Sequence, residues 1–205
     1  MTDQNKTAIG IVLDRSGSMS SIKGDAEGAL KQFIEDQKRL PGTVRLWLVR
    51  FDSQVEVRHR NKDLREVDGI KLEPRNMTAL YDAIGTAITT MGEDLAAMSE
   101  DERPGKVLLA IVTDGYENHS KEYTHAQISE MIKRQQDEWQ WEVLFLAANQ
   151  DAMVVGTQLN VPAQNTLNWQ TTREGTQYAG ASLSAYTTKY RETGHGSFEG
   201  TSSTS

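Results

Sequence analysis

Three short apolar runs, Ala8 to Leu13, Val107 to Val112 and Val143 to Ala148, each end at polar sequence containing Asp or Asn. Runs of this length and continuity predict strands buried on both faces of a parallel sheet. Between them, Ile22, Ala26, Ala29, Leu30, Phe33 and Ile34 recur at helical spacing, and Leu80, Ile84, Ala87, Ile88, Met91, Leu95 and Met98 do so over a longer stretch. Each set predicts a helix that lays an apolar stripe on a sheet. Val44 to Phe51 predicts a further strand, which Asp52-Ser53 turns into Val55-Glu56-Val57-Arg58. The alternation there marks a half-exposed antiparallel edge strand, so 43–60 reads as a hairpin. Thr124 followed by Gln127 is a capping-box pair opening a helix through Ile128, Met131 and Ile132.

Beyond Ala148 the pattern weakens: 151–159 reads as a short helix, 161–168 as loop or short strand, and 172–191 as a last helix. Strands alternating with helices predict a Rossmann-like three-layer α/β sandwich, with a mostly parallel central sheet and one antiparallel edge strand. Residues 1–193 are expected to form one domain, with a core at 7–150 and an extension at 151–193, and 194–205, rich in Gly, Ser and Thr, reads as a disordered tail.

Composition narrows the function classes. The chain has 205 residues, enough for one domain with a real core. Lys and Arg number 22 against 29 acids, for a net charge of -7, so no global field attracts nucleic acid or an anionic membrane surface. Cysteine is absent, which removes disulfides, thiolate metal sites and cysteine nucleophiles, and agrees with a cytoplasmic location. The first apolar run is too short for a signal-peptide core or a membrane span.

Candidate chemistry collects where strands end. Asp14-Arg15-Ser16-Gly17-Ser18 leaves the first run with a carboxylate and two hydroxyls on one tight loop. Hard oxygen donors of this kind suit Mg²⁺ or Mn²⁺. Thr78 precedes the most amphipathic helix, and Thr113-Asp114-Gly115 directly follows the second run. In open α/β sheets ligands bind outside the carboxyl ends of the strands, and all three segments arrive there.

In these residues the chain resembles the von Willebrand factor type A domain, whose metal-ion-dependent adhesion site combines an Asp-x-Ser-x-Ser loop, a threonine and a later aspartate. The resemblance extends over about residues 7–150. It implies that Ser16 and Ser18 bind a divalent metal directly, and that Asp14, Thr78 and Asp114 bind it directly or through water. Two aspartates neutralise a dication and three hydroxyls add no charge, leaving the ion attractive to one more anion, an Asp or Glu carboxylate of a protein partner. The resemblance also implies that binding couples to the loops carrying Thr78 and Asp114 and to the last helix.

Competing readings are weaker. Asp14, Ser16, Ser18 and Thr78 are good helix N-cap types and Asp114 a good turn residue, but neither role explains their co-occurrence. Asp82, one helical turn after Thr78, reads as a supporting residue or a helix-dipole partner, not a ligand. His59, His119, His125 and His195 have no common metal-binding spacing. Arg58, His59, Arg60 and Lys62, and the acids Glu93, Asp94, Glu100, Asp101 and Glu102, read as solvated faces, and Trp47, Trp139 and Trp141 as packing residues. Ala147-Ala148-Asn149-Gln150-Asp151 ends a strand on the functional edge, where it would shape partner specificity.

A phosphohydrolase with a nucleophilic Asp14 would want a second Asp where Ser16 stands, and no phosphate-binding glycine loop or nucleophile elbow is present. The expected function is a non-enzymatic, metal-dependent protein-binding module, an intracellular adaptor or assembly factor of a bacterium or phage. A scaffold whose metal only braces loops is the alternative.

Overall fold

The computed structural model describes residues 2–149 and 151–198. Six strands form one sheet in the order β3-β2-β1-β4-β5-β6: β1 (Asp3–Asp14), β2 (Thr43–Phe51), β3 (Val55–Asp63), β4 (Pro104–Thr113), β5 (Glu142–Ala148) and β6 (Thr166–Trp169). All neighbours run parallel except β2 and β3, the expected hairpin, so β3 is an antiparallel edge. The helices are α1 (Lys23–Arg39), α2 (Leu80–Ala97), α3 (His125–Trp139), α4 (Ala152–Gln158) and α5 (Arg173–Thr193), with a short 3-10 turn over Gly17–Ile22 leading into α1.

Alternation along each central strand divides the core into two layers. Ile9, Ile11 and Leu13 of β1, with Leu108 and Ala110 of β4 and Leu144 and Leu146 of β5, pack against α1 and α5. Ala8 and Val12, with Leu109, Ile111, Val143 and Phe145, pack against α2 and α3. Gly10 belongs to this second face because nothing larger fits: a Cβ there would come within 2.4 Å of Met91 Sδ and 2.8 Å of Leu109 Cδ1. The Thr124–Gln127 capping box opens α3 as its sequence predicts.

From β1 the chain moves outward to β2 and β3, and from β4 it moves the other way to β5 and β6. The direction reverses between β1 and β4, whose C-terminal ends lie side by side, Leu13 opposite Val112. A crevice opens at such a point because the loops leaving the two strands diverge.

The stretch 161–168, expected as loop or short strand, runs into the four-residue β6. One expectation needs adjustment. Residues 194–198 are not part of a free tail. Phe198 is buried, its ring lies 4.7 Å from that of Tyr186, and its N–H donates to Gln164 O at 2.9 Å. One aromatic anchor outweighs the Gly-rich composition around it; residues 199–205 lie outside the described residues.

Candidate metal centre

Asp14 is the last residue of β1 and is fully buried. Its Oδ1 accepts the Ser16 N–H at 2.6 Å and its Oδ2 accepts the Thr113 hydroxyl at 2.6 Å, tying the end of β1 to the end of β4. Ser16 Oγ lies 3.0 Å from Ser18 Oγ, and Ser18 Oγ donates to Asp114 Oδ1 at 2.7 Å. Thr78 Oγ1 and Ser18 Oγ stand 3.4 and 3.9 Å from the position a Cβ on Gly115 would occupy. A Cβ at 115 would therefore sit in ordinary van der Waals contact with both hydroxyls, which places both of them beside Gly115. Asp14, Ser16, Ser18, Thr78 and Asp114, named from the sequence, all converge at the reversal point between β1 and β4.

The centre holds more negative charge than its surroundings satisfy. Asp114 Oδ2 is buried and has no hydrogen-bond partner among the described residues. Burial, reinforced by the charge of Asp14, pushes the Asp114 carboxyl up to about 6 against the pull of the Ser18 hydroxyl. Burial also raises Asp14, with the Thr113 and Ser16 hydrogen bonds opposing it. Buried polar groups are ordinarily paired, and an orphaned carboxylate oxygen beside three hydroxyls is the donor set a hard dication fits.

The loops that carry these groups are fixed by the protein itself. Gly17 N–H donates to Asn76 O at 3.2 Å, Arg75 N–H to Arg15 O at 2.9 Å and Ala79 N–H to Asp52 O at 2.8 Å. Asn118 and Thr78 exchange two bonds, Asn118 N–H to Thr78 O at 3.0 Å and Thr78 N–H to Asn118 Oδ1 at 2.9 Å. Asn76 and Asn149 both adopt left-handed backbone, which Asn tolerates better than most residues, and Asn149 Nδ2 donates to Asp114 O at 2.9 Å.

Sequence reasoning missed several of these supports. Asp52, read only as a turn residue, is fully buried, accepts a hydrogen bond from Arg75 Nε at 2.8 Å and forms an ion pair with Arg15, whose Nε lies 3.0 Å away. Burial would raise its carboxyl, but the Arg75 and Gln54 hydrogen bonds and the charges of Arg15 and Arg75 outweigh it and hold it below the usual range. Arg15 also reaches Glu56 Oε2 at 2.8 Å. The available signal was position, since Asp52 directly follows β2 on the same sheet edge.

Asp82, in the first turn of α2 and four residues after Thr78, is a supporting residue, one of the two roles its position allowed. It accepts the N–H groups of Lys121, Glu122 and Tyr123 at 2.8, 2.9 and 2.9 Å. Glu117, unremarked in the sequence, accepts Tyr81 N–H at 3.0 Å and the His119 and Ser120 N–H groups at 2.7 Å each. Together they bind the loop after β4 to the start of α2.

A doubly wound α/β sandwich with hydroxyls and carboxylates gathered at its reversal point defines a class, and solved structures supply its name. Proximal thread matrix protein 1 of the mussel byssus, in a structure with a zinc-occupied MIDAS motif, matches 90% of this chain at 13% identity and a TM-score of 0.61, over 46% of its own length. A von Willebrand factor type A structure from Catenulispora acidiphila matches 88% of this chain at 12% identity and a TM-score of 0.61, over 42% of its own length. BatB from Bacteroides thetaiotaomicron matches 91% of this chain at 12% identity and a TM-score of 0.59, over 100% of its own length. The chain thus spans less than half of the first two. By sequence it matches no family model and no curated protein. The fold is that of a von Willebrand factor type A domain.

Proposed function

We propose that the protein is a divalent-metal-dependent protein-binding module. Asp14, Ser16, Ser18, Thr78 and Asp114 would hold Mg²⁺ or Mn²⁺, and a partner's Asp or Glu carboxylate would complete the site. The observation that carries this reading is the unpartnered, buried Oδ2 of Asp114 among three hydroxyls. The zinc in the mussel protein's MIDAS motif supports a divalent ion at the matching place. When bound, the ion supplies an electrophilic point for an oxygen anion. The chain's own residues supply the rest: Asp14 and Asp114 the countercharge, the hydroxyls neutral donors, and the stitched loops a fixed shape.

Recognition is favoured over loop-bracing because the loops are already tied together by protein hydrogen bonds, so an ion is not needed to assemble them. A non-enzymatic role is favoured because the neighbouring carboxylates Asp82 and Glu117 are committed to backbone N–H groups and are poorly placed as general bases. No helix among the described residues is long and apolar enough to cross a membrane. A cytoplasmic adaptor from a bacterium or phage, binding neither nucleic acid nor membrane, belongs to the same proposal.

Calorimetric titration of chelator-treated protein with MgCl₂ and MnCl₂ should find one ion per chain, and Asp14→Ala should abolish it. Affinity capture from native lysate, in Mg²⁺ against EDTA, should recover a protein partner only with metal and only with the unsubstituted chain. Metal-dependent phosphatase turnover lost in Asp14→Asn would overturn the non-enzymatic reading.

A further inference from the structure

Six large apolar side chains are exposed among the described residues: Val57, Met77, Tyr116, Trp139, Met153 and Val154. Four of these stand on segments leaving the C-terminal edge of the sheet, around the hydroxyl and carboxylate centre. Met77, 47% exposed, immediately precedes Thr78, and Tyr116, 60% exposed, comes two residues after Asp114. Met153 and Val154, 54% and 51% exposed, begin α4 just beyond Asn149, whose side chain holds the Asp114 carbonyl.

The backbone beneath all four is pinned. Thr78 is bonded to Asn118 on both sides, Glu117 is locked on the N–H groups of His119 and Ser120, and Asp151 Oδ1 accepts the N–H groups of Met153 and Val154 at 3.0 and 3.2 Å. Rigid loops therefore hold these side chains out in water. Single exposed hydrophobes are ordinary, but a set gathered around one polar centre is the anatomy of an interface. Met and Tyr suit it, the first by adapting its shape and the second by its large amphipathic face.

We propose that the ring selects the partner: an extended protein segment in which a single Asp or Glu is flanked on both sides by large apolar side chains. The carboxylate goes to the centre, one flank packs on Met77 and Tyr116, and the other on Met153 and Val154. This rests on the metal-dependent recognition proposed above and specifies its ligand.

Two end-blocked, fluorescein-labelled nonapeptides test it, each with one central Asp, one flanked by Leu and Phe and the other by Ser and Gly. Binding is read by anisotropy in MgCl₂ and in EDTA, with Mg²⁺ affinity measured separately by calorimetry. The apolar-flanked peptide should bind at least ten-fold more tightly, only in Mg²⁺. The double variants Met77→Ser/Tyr116→Ser and Met153→Ser/Val154→Ser should each weaken it five-fold or more, with Mg²⁺ affinity kept within two-fold. Trp139→Ser, away from the ring, should change neither.

Equal binding of the two peptides, binding undiminished in the double variants, binding that persists in EDTA, or no binding by a chain that does take up Mg²⁺ would each overturn the ring's role. Failure to take up Mg²⁺ at all would instead overturn the metal reading beneath it.

Discussion

Asp114 is the residue on which the proposed metal binding turns, and its electrostatics can be measured without any partner. Its carboxyl is pushed up to about 6 in the folded chain, from 3.8 unfolded, first by burial and then by the charge of Asp14. Folding therefore favours the protonated form. The stability this contributes is fully present below the unfolded value and is lost as pH rises through the folded one. At pH 7 without metal, the ionised group costs on the order of 1–3 kcal/mol. Asp114→Asn should then be the more stable chain in EDTA at pH 7 by urea unfolding, and the gap should close as pH falls from about 6 towards 4. Millimolar MgCl₂ should stabilise the unsubstituted protein and not the variant.

Asp52 has the opposite character, since Arg75 and Arg15 pull its carboxyl down against burial. Asp52→Ala leaves the buried Arg15 short of a countercharge. A loss of about 3–5 kcal/mol is expected, read by the same unfolding experiment.

At the scale of elements, helix α2 and the loop after β4 behave as one piece, because Asp82 near the start of the helix accepts three consecutive N–H groups of that loop. Asp82→Ala should cost about 2 kcal/mol or more by leaving those donors unpaired, and should also weaken Mg²⁺ binding, because the loop positions Asp114. Thr124→Ala, which removes the cap of α3, should cost about 1 kcal/mol and leave Mg²⁺ affinity unchanged.

The central elements were legible in the sequence for a plain reason. The middle strands are buried on both faces, so they read as unbroken apolar runs, and the helices on them carry one stripe each. Thr78 and Asp114 were legible as chemistry because each sits where such an element begins or ends. Asp52 and Glu117 were not, and Asn149 was legible only as part of a strand end on the functional edge, because their roles depend on N–H and C=O groups brought close only by folding, which leave no periodic trace. Phe198 was hidden by its Gly and Ser neighbours, whose composition outvoted a single aromatic ring.

For the molecule as a whole, the described chain is tightened at the end away from the loops that carry Asp14, Thr78 and Asp114. Tyr190 Oη donates to Val107 O at 3.1 Å, Arg191 Nη1 to Gln37 O at 2.7 Å and Nη2 to Pro41 O at 2.9 Å, and Phe198 closes over Tyr186. The resemblance to metal-binding adhesion domains implies coupling to the last helix, whereas this clamp opposes movement of α5. Hydrogen exchange followed by mass spectrometry should show saturating Mg²⁺ slowing the segments 76–79 and 114–118 while α5 keeps its protection. Equal slowing of α5 would mean that the clamp yields.

Asp3, where β1 starts, lies at the N-terminal edge of the sheet, at the opposite end of β1 from Asp14. A linker or solid support joined there would leave every hydroxyl loop turned towards bulk solvent. A sensor surface coated through this position would thus present a uniformly oriented layer of the protein, with the Asp14 end of β1 outermost.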